Sequence, residues 1–428
     1  MAAANFRRHY PKNSLDILTL NFIIMKKWFF LVLAISGFSC SNDEPDNGNQ
    51  GTNIERRDVI LTTEQTTLMD RQIDFAFNLF EKEVSGSETE NRLLSPVSVS
   101  VALSMLANGA DGETLSELLE VLGAESLTDL NTYNKLLKEN LYSLDNKVRI
   151  SMAQSIWLKN TFTPLQNYID ILKTNYNSDV YSFDNDAHST ISRINSWCSE
   201  KTGGMIPEFL NDIPSSDVML FNATAFDGKW ARPFDIAATK QSSFFNAGST
   251  PVHINMMNAT WDNLYYETNE YQALRLPYGN SAYNMTIILP TENNNPATLI
   301  SKLAGGEWNT CKSSMTMHEV KLSVPKFNLY TSNNLVESLT GLNINKAFST
   351  DGEYPKISQS EVLFNIVKHD VFIDVNESGT KASSVTMIGG ITDSGIPQRT
   401  MHVDHPFVFV IDETSTGAIL FMGAINRL

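Results

Sequence analysis

Residues 376–400 read NESGTKASSVTMIGGITDSGIPQRT, a small, polar, glycine-dotted stretch between two strongly apolar runs. Within it Thr380, Ala382, Ser384 and Thr386 alternate with Lys381, Ser383 and Val385. In extended form the four small residues share one face, which carries no charge and could slide into a sheet interior. Residue sets for catalysis or metal binding do not assemble elsewhere. His402 and His405, in HVDH, would face opposite sides of a strand with no third ligand evident, so no metal site is expected. No HExxH, GxSxG or P-loop pattern occurs.

The elements that must hold this stretch are legible on both sides of it. Val362 to Val375 is rich in Val, Ile and Phe, and Pro406 to Ile411 is nearly continuous apolar sequence, so both predict buried strands with a long exposed loop between them. A loop of that length in a compact domain is usually functional. Earlier in the chain the apolar period is helical. From Asp70 it runs through Ile73, Phe77, Phe80 and Val84. Ser95-Pro96 predicts a capped helix start before the stripe Val97, Val101, Met105 and Leu106. Leu115, Leu118, Leu119 and Leu122 form another stripe closed by Gly123, and Ile191, Ile194, Trp197 and Cys198 a later one. Strand signals dominate the second half, including Met285 to Leu289 and Ile419 to Met422. Helices early and strands late predict an α+β fold.

The pattern Glu377-x-Gly379-Thr380-x-Ala382-Ser383-Ser384 resembles the mobile hinge of inhibitory serpins. Further segments are similar to that family in its own order: NRLLSPVSVSVALSMLANGADGETLSELLEVLG (Asn91–Gly123), KTGGMIPEFL (Lys201–Leu210), FNATAFDGKWARPFD (Phe221–Asp235), VKLSVPKFNL (Val320–Leu329) and HPFVFVIDETSTGAILFMGAINRL (His405–Leu428). The resemblance spans residues 67–428. It implies a serpin fold, with many helices, three β-sheets and an exposed reactive-centre loop. It also implies a protease inhibitor that supplies no catalytic group of its own. A target serine or cysteine protease cuts the loop and forms its acyl-enzyme, after which the hinge inserts into the central sheet and carries the trapped protease with it.

Carried over residue by residue, the resemblance implies a hinge of Glu377, Gly379, Thr380, Ala382, Ser384 and Thr386. Ser95, Ser98, Asn222 and His369 fall at the shutter beneath the sheet that must part. Trp230 falls at the breach where insertion begins, with Lys326 positioned to pair with Glu377. By the family's spacing from Gly379 the reactive bond joins Asp393 to Ser394, with Ile391 and Thr392 as bait before it. An Asp there suits proteases with a basic specificity pocket. A bond shifted to follow Thr392 or Gly395 would favour elastase-like targets, and Arg399 is the trypsin-like candidate. The competing expectation is a non-inhibitory serpin-fold binding protein whose loop is only cleaved.

Composition bounds the rest. Hydrophobic residues make up 42% of the 428 residues, enough for one large core, and the body has no apolar stretch long enough to cross a membrane. At the other end of the chain, Met25-Lys26-Lys27 precedes the apolar run Trp28–Phe38, which has signal-peptide length. Gly37 and Ser39 before Cys40 resemble a relaxed bacterial lipobox, making Cys40 the lipidated first residue. The expected divisions are therefore 1–24 upstream of the true start, 25–39 a lipoprotein signal, 40–66 an acidic flexible tether and 67–428 the domain. The resemblance to surface-exported Bacteroidetes lipoproteins implies an outer-membrane address, with periplasmic or extracellular release as the alternatives. The formal charge is −16, and the first 39 residues contribute five cations against one acid, so the chain from Cys40 carries −20. That balance disfavours nucleic acid as a partner, and no cofactor is expected. Cys198 and Cys311 read as small buried thiols, a single bridge between them being possible but not implied, and the domain as a monomer.

Overall fold

The helical stripes fold as helices. The structure, a computed structural model, describes residues 54–206, 208–213, 216–291, 294–380 and 398–428. The principal helices are α1 (Thr63–Val84), α2 (Pro96–Gly109), α3 (Gly112–Val121), α4 (Leu127–Asn140), α5 (Gln166–Ile171) and α6 (Ala187–Lys201). Helix α1 begins earlier than its apolar stripe suggests, because Thr62 and Gln65 close a reciprocal capping box around its first turn. Val59 and Leu61 also pack against the core. The folded chain therefore starts inside the stretch 40–66 that reads as tether. Helix α2 buries every residue except Val101. Ser95 stands at its N-cap position, but the side chain makes no capping bond; its backbone N–H is used elsewhere, as described below. Helix α3 ends as its leucine stripe predicts, with Gly123 in the left-handed region at φ +67.

Fifteen strands follow in chain order among the described residues: β1 (Arg92–Leu94), β2 (Val148–Lys159), β3 (Asp179–Phe183), β4 (Val218–Lys229), β5 (Lys240–Phe244), β6 (Val252–Glu267), β7 (Tyr271–Pro277), β8 (Tyr283–Pro290), β9 (Thr316–Pro325), β10 (Phe327–Asn334), β11 (Val367–Asn376), β12 (Gly379–Thr380), β13 (Gln398–His402), β14 (Phe407–Glu413) and β15 (Ile419–Ile425). They form two hydrogen-bonded networks where three sheets were expected. One is a nine-stranded sheet in the order β1-β15-β14-β8-β7-β6-β9-β13, with β5 also paired to β6. The other is a six-stranded sheet, β10-β11-β12-β4-β2-β3. The third sheet is not separate because β6 runs unbroken for 16 residues. Its first part pairs β5 and β9, and its last residues pair β7, which joins the two layers.

In the six-stranded sheet β11 and β4 run parallel and pair directly from Val367↔Leu220 to Phe372↔Ala225. Beyond Phe372 they part, and β12 enters between them, antiparallel to both. Helix α2 packs beneath this sheet against β2 and β4, and α6 packs on β2. Cys198, on α6, and Cys311 are free and buried, and burial pushes both thiols up to about 12.

Candidate functional site

The site is built where β4 and β11 separate. The sequence reads as exposed loop from Asn376 onward, yet Glu377, Ser378, Gly379 and Thr380 are all buried. Two of their carbonyls are held there: Trp230 N–H donates to the Ser378 carbonyl at 3.0 Å and Phe234 N–H to that of Glu377 at 2.8 Å. Thr380 lies opposite Val375 on one side and Gly228 on the other. Two glycines make this close approach possible. A Cβ on Gly379 (φ +154) would stand 2.1 Å from the Gly228 carbonyl oxygen, and one on Gly228 would meet the Phe226 ring at 2.7 Å.

Side chains close the mouth of the slot. The hydroxyls of Thr380 and Tyr278 are 2.8 Å apart and hydrogen-bonded. The Tyr278 ring stacks on Trp230 with centroids 4.4 Å apart and planes 13° from parallel. The Trp230 indole N–H donates to the Asn376 carbonyl at 2.9 Å. The Lys326 ammonium meets Glu377 at 2.9 Å, and the Thr239 hydroxyl donates to the other carboxylate oxygen at 3.0 Å. Burial works to raise the Glu377 pKa, but these hydrogen bonds, that from Lys326 foremost, outweigh it and hold the carboxyl below its ordinary value.

Farther down, where β4 and β11 pair directly, lies a polar node in an otherwise apolar core. His369 on β11 and Asn222 on β4 are direct register partners. The Ser98 hydroxyl donates to Asn222 Oδ1 at 2.6 Å, while Gln154 Nε2 and the Thr224 hydroxyl donate to Ser98 Oγ at 2.8 and 2.9 Å. Ser95 N–H donates to His369 Nε2 at 3.0 Å, which requires that nitrogen to be unprotonated. Complete burial, aided by the charge of Lys368, pulls His369 down to about 3, so the ring is neutral at physiological pH. Three buried atoms here have no partner: Ser95 Oγ, Asn222 Nδ2 and His369 Nδ1. Such atoms normally find one, so a node with three orphans stands ready for another polar group.

Of the residues singled out in the sequence, Ser95, Ser98, Asn222 and His369 come together, as do Trp230, Lys326, Glu377, Gly379 and Thr380. Ala382, Ser384, Thr386, Ile391, Thr392, Asp393, Ser394 and Cys40 lie outside the described residues. Arg399 lies within β13, paired with β9 and facing Glu267 at 3.2 Å, so its peptide bond is not free to enter a protease cleft. His402 and His405 do not face opposite sides. The strand ends at His402, and both rings turn Nδ1 to Asp404, at 3.3 and 2.8 Å. Tyr278, Gln154 and Thr239 were not legible as site residues, since each reaches the site only through distant chain. Thr224 carried a signal in its alternation with Asn222 on one strand face.

A parting pair of parallel strands, a short antiparallel segment entering between them and a polar node beneath set the kind of fold to be sought among known proteins. A family model for serpins (serine protease inhibitors) matches residues 70–428, and the chain belongs to that family. Iripin-8 of Ixodes ricinus is 32% identical over 366 residues, covering 81% of this chain and 90% of the relative. Intracellular coagulation inhibitor 1 of Tachypleus tridentatus is 31% identical, covering 83% of this chain and 87% of the relative. Among solved structures, the thermophilic serpin tengpin in its native state superposes with a TM-score of 0.79 at 32% identity, covering 88% of this chain and 98% of tengpin.

Proposed function

We propose that the chain inhibits serine or cysteine proteases as a suicide substrate, presenting Asp393-Ser394 as the reactive bond. The observation that carries this reading is the register of β12. Continuing the pairing of Thr380 with Gly228 and Val375 down the cleft would set Ala382 between Phe226 and Ile373. It would set Ser384 between Thr224 and Val371, Thr386 between Asn222 and His369, and Ile388 between Leu220 and Val367. Each type suits its slot. A small residue meets two bulky apolar ones, an apolar residue meets two apolar ones, and Thr386 arrives at the node with the three unpartnered atoms.

In this reading the protease nucleophile attacks the Asp393 carbonyl, the peptide bond to Ser394 breaks, and the new amino terminus departs with Ser394. The acyl ester or thioester then faces two fates, hydrolysis or transport as the hinge fills the cleft. About a dozen new backbone hydrogen bonds at a net ~0.5–1.5 kcal/mol each make roughly 10 kcal/mol available to drive the transport. That rivals the ~5–15 kcal/mol stability of a whole domain. Residues 25–39 as a lipoprotein signal and Cys40 as a lipid-bearing terminus would display a monomeric inhibitor at the outer membrane.

Incubation with proteases of Asp-, elastase- and trypsin-type specificity, followed by denaturing gels and mass spectrometry of the released C-terminal peptide, tests the reading. A denaturant-resistant complex and a peptide beginning at Ser394 are expected. Cleavage by every protease without any complex would replace inhibition with a binding role.

A further inference from the structure

A slip of β12 by one residue would turn Lys381, Val385 and Met387 to the core and the small residues outward, so burial excludes it. The two-residue turn Glu377-Ser378 sets β12 against β11, with Gly379 opposite Asn376. A two-residue slip against β4 would keep the same face inward, so a contact at the end of β4 is needed to choose which residue lies opposite Gly228.

In the described structure the Thr380 side chain makes one hydrogen bond, to the Tyr278 hydroxyl. Tyr278 is immobilised for that role. It is fully buried and stacked on Trp230, and it sits where the ends of the two sheets are tied together. Trp230 and Tyr278 form a backbone bridge, Ala231 N–H donates to the Pro277 carbonyl at 2.9 Å, and Gly279 N–H donates to that of Lys229 at 2.9 Å. The ring edge lies close enough to Gly228 that no Cβ would fit between them without crowding. A neighbour on either side could not replace Thr380: Gly379 has no side chain to bond, and Lys381 would bring a cation into a buried slot.

We infer that Tyr278 is the register-determining residue of insertion, its hydroxyl selecting Thr380 as the first buried hinge residue so that Thr386 meets the polar node. The inference rests on the inhibitory reading above and adds a residue that positions the strand without touching the protease. Tyr278→Phe and Thr380→Val each remove one hydroxyl and keep the packing.

The test measures the partition between cleaved and trapped protein at equal extents of loop cleavage. Each single variant should raise the cleaved-to-trapped ratio about tenfold, the effect of losing one buried hydrogen bond. The double variant should be no worse than either, since both removals break one bond. Effects that multiply would overturn the inference, as two independent packing defects would do that. A second measurement reads the register directly. Thr224→Cys with Ser384→Cys should form a disulfide after loop cleavage, and the yield should fall when Tyr278→Phe is added. An undiminished yield would remove Tyr278 from the mechanism, whereas no disulfide in the parent would overturn insertion in this register and the inference with it.

Discussion

At the scale of single residues the site is governed by what can be buried. Thr380 is fully buried against Tyr278, so Thr380→Arg would force a cation into the cleft at a cost of several kcal/mol. The loop should still be cut, and the denaturant-resistant complex should disappear; unchanged trapping on the same gel would refute the burial argument. His369 gives a pH signature. Its folded pKa, about 3, lies below the ordinary value of 6.5, so between these values the unfolded chain binds a proton that the folded chain does not. Its contribution is therefore fully present above pH 6.5 and is lost as pH falls toward 3, by up to ~1.4 kcal/mol per unit. Urea titrations across that range should show the slope, and His369→Asn, which has no titrating ring, should flatten it.

At the scale of elements, the hinge is held at its base by the pair between Lys326, nearly half exposed, and Glu377, almost wholly buried. An exposed pair contributes ~0–1 kcal/mol, but here Lys326→Ala leaves a buried carboxylate short of a partner and should lower the unfolding free energy by about 1–3 kcal/mol at neutral pH. Because the Glu377 carboxyl is held below its ordinary value, that stabilisation is present above the usual carboxylate range and is lost as pH falls through the folded value. Denaturant midpoints of parent and variant should thus converge once the pH is taken well below the ordinary glutamate range, and a gap that persists there would mean that Lys326 acts by packing. The helices were legible because a 3.6-residue apolar period marks them regardless of partner, as in α1 and α6. The early start of α1 was less so, because its first turn is fixed by Thr62 and Gln65 and carries little apolar stripe. The burial of residues 377–380 was hidden as well, since small polar residues suit a loop and a sheet cleft equally.

At the scale of the whole molecule, β4 and β11 are parted only where β12 enters and are paired below it, so in the proposed mechanism that pairing opens to make room for a further strand. Filling that room should raise the thermal midpoint of loop-cleaved protein on the order of 10 °C or more above that of the intact form, given roughly 10 kcal/mol of new pairing. Differential scanning calorimetry of the two forms decides it, and coincident midpoints would mean that the strand does not insert. The address is a molecular property too. Cys40→Ser should move the protein from the membrane to the soluble fraction on cell fractionation, whereas membrane retention by that variant would exclude Cys40 as the anchor.

The sequence by itself determined the class of fold and the hinge composition, which depend on local period and on the residue types a strand face tolerates. That Ser95, Ser98, Asn222 and His369 share one site was implied only by the resemblance to serpins, and the packing of α2 against β4 and β11 brings them together. Tertiary structure alone decided that Thr380 is already between two strands, that β6 fuses two layers into one sheet, and that Tyr278, 102 residues away in the chain, grips the hinge. The reason is physical. Period and polarity report what a residue can tolerate, whereas register and hydroxyl-to-hydroxyl contact depend on which distant segment packing brings alongside it.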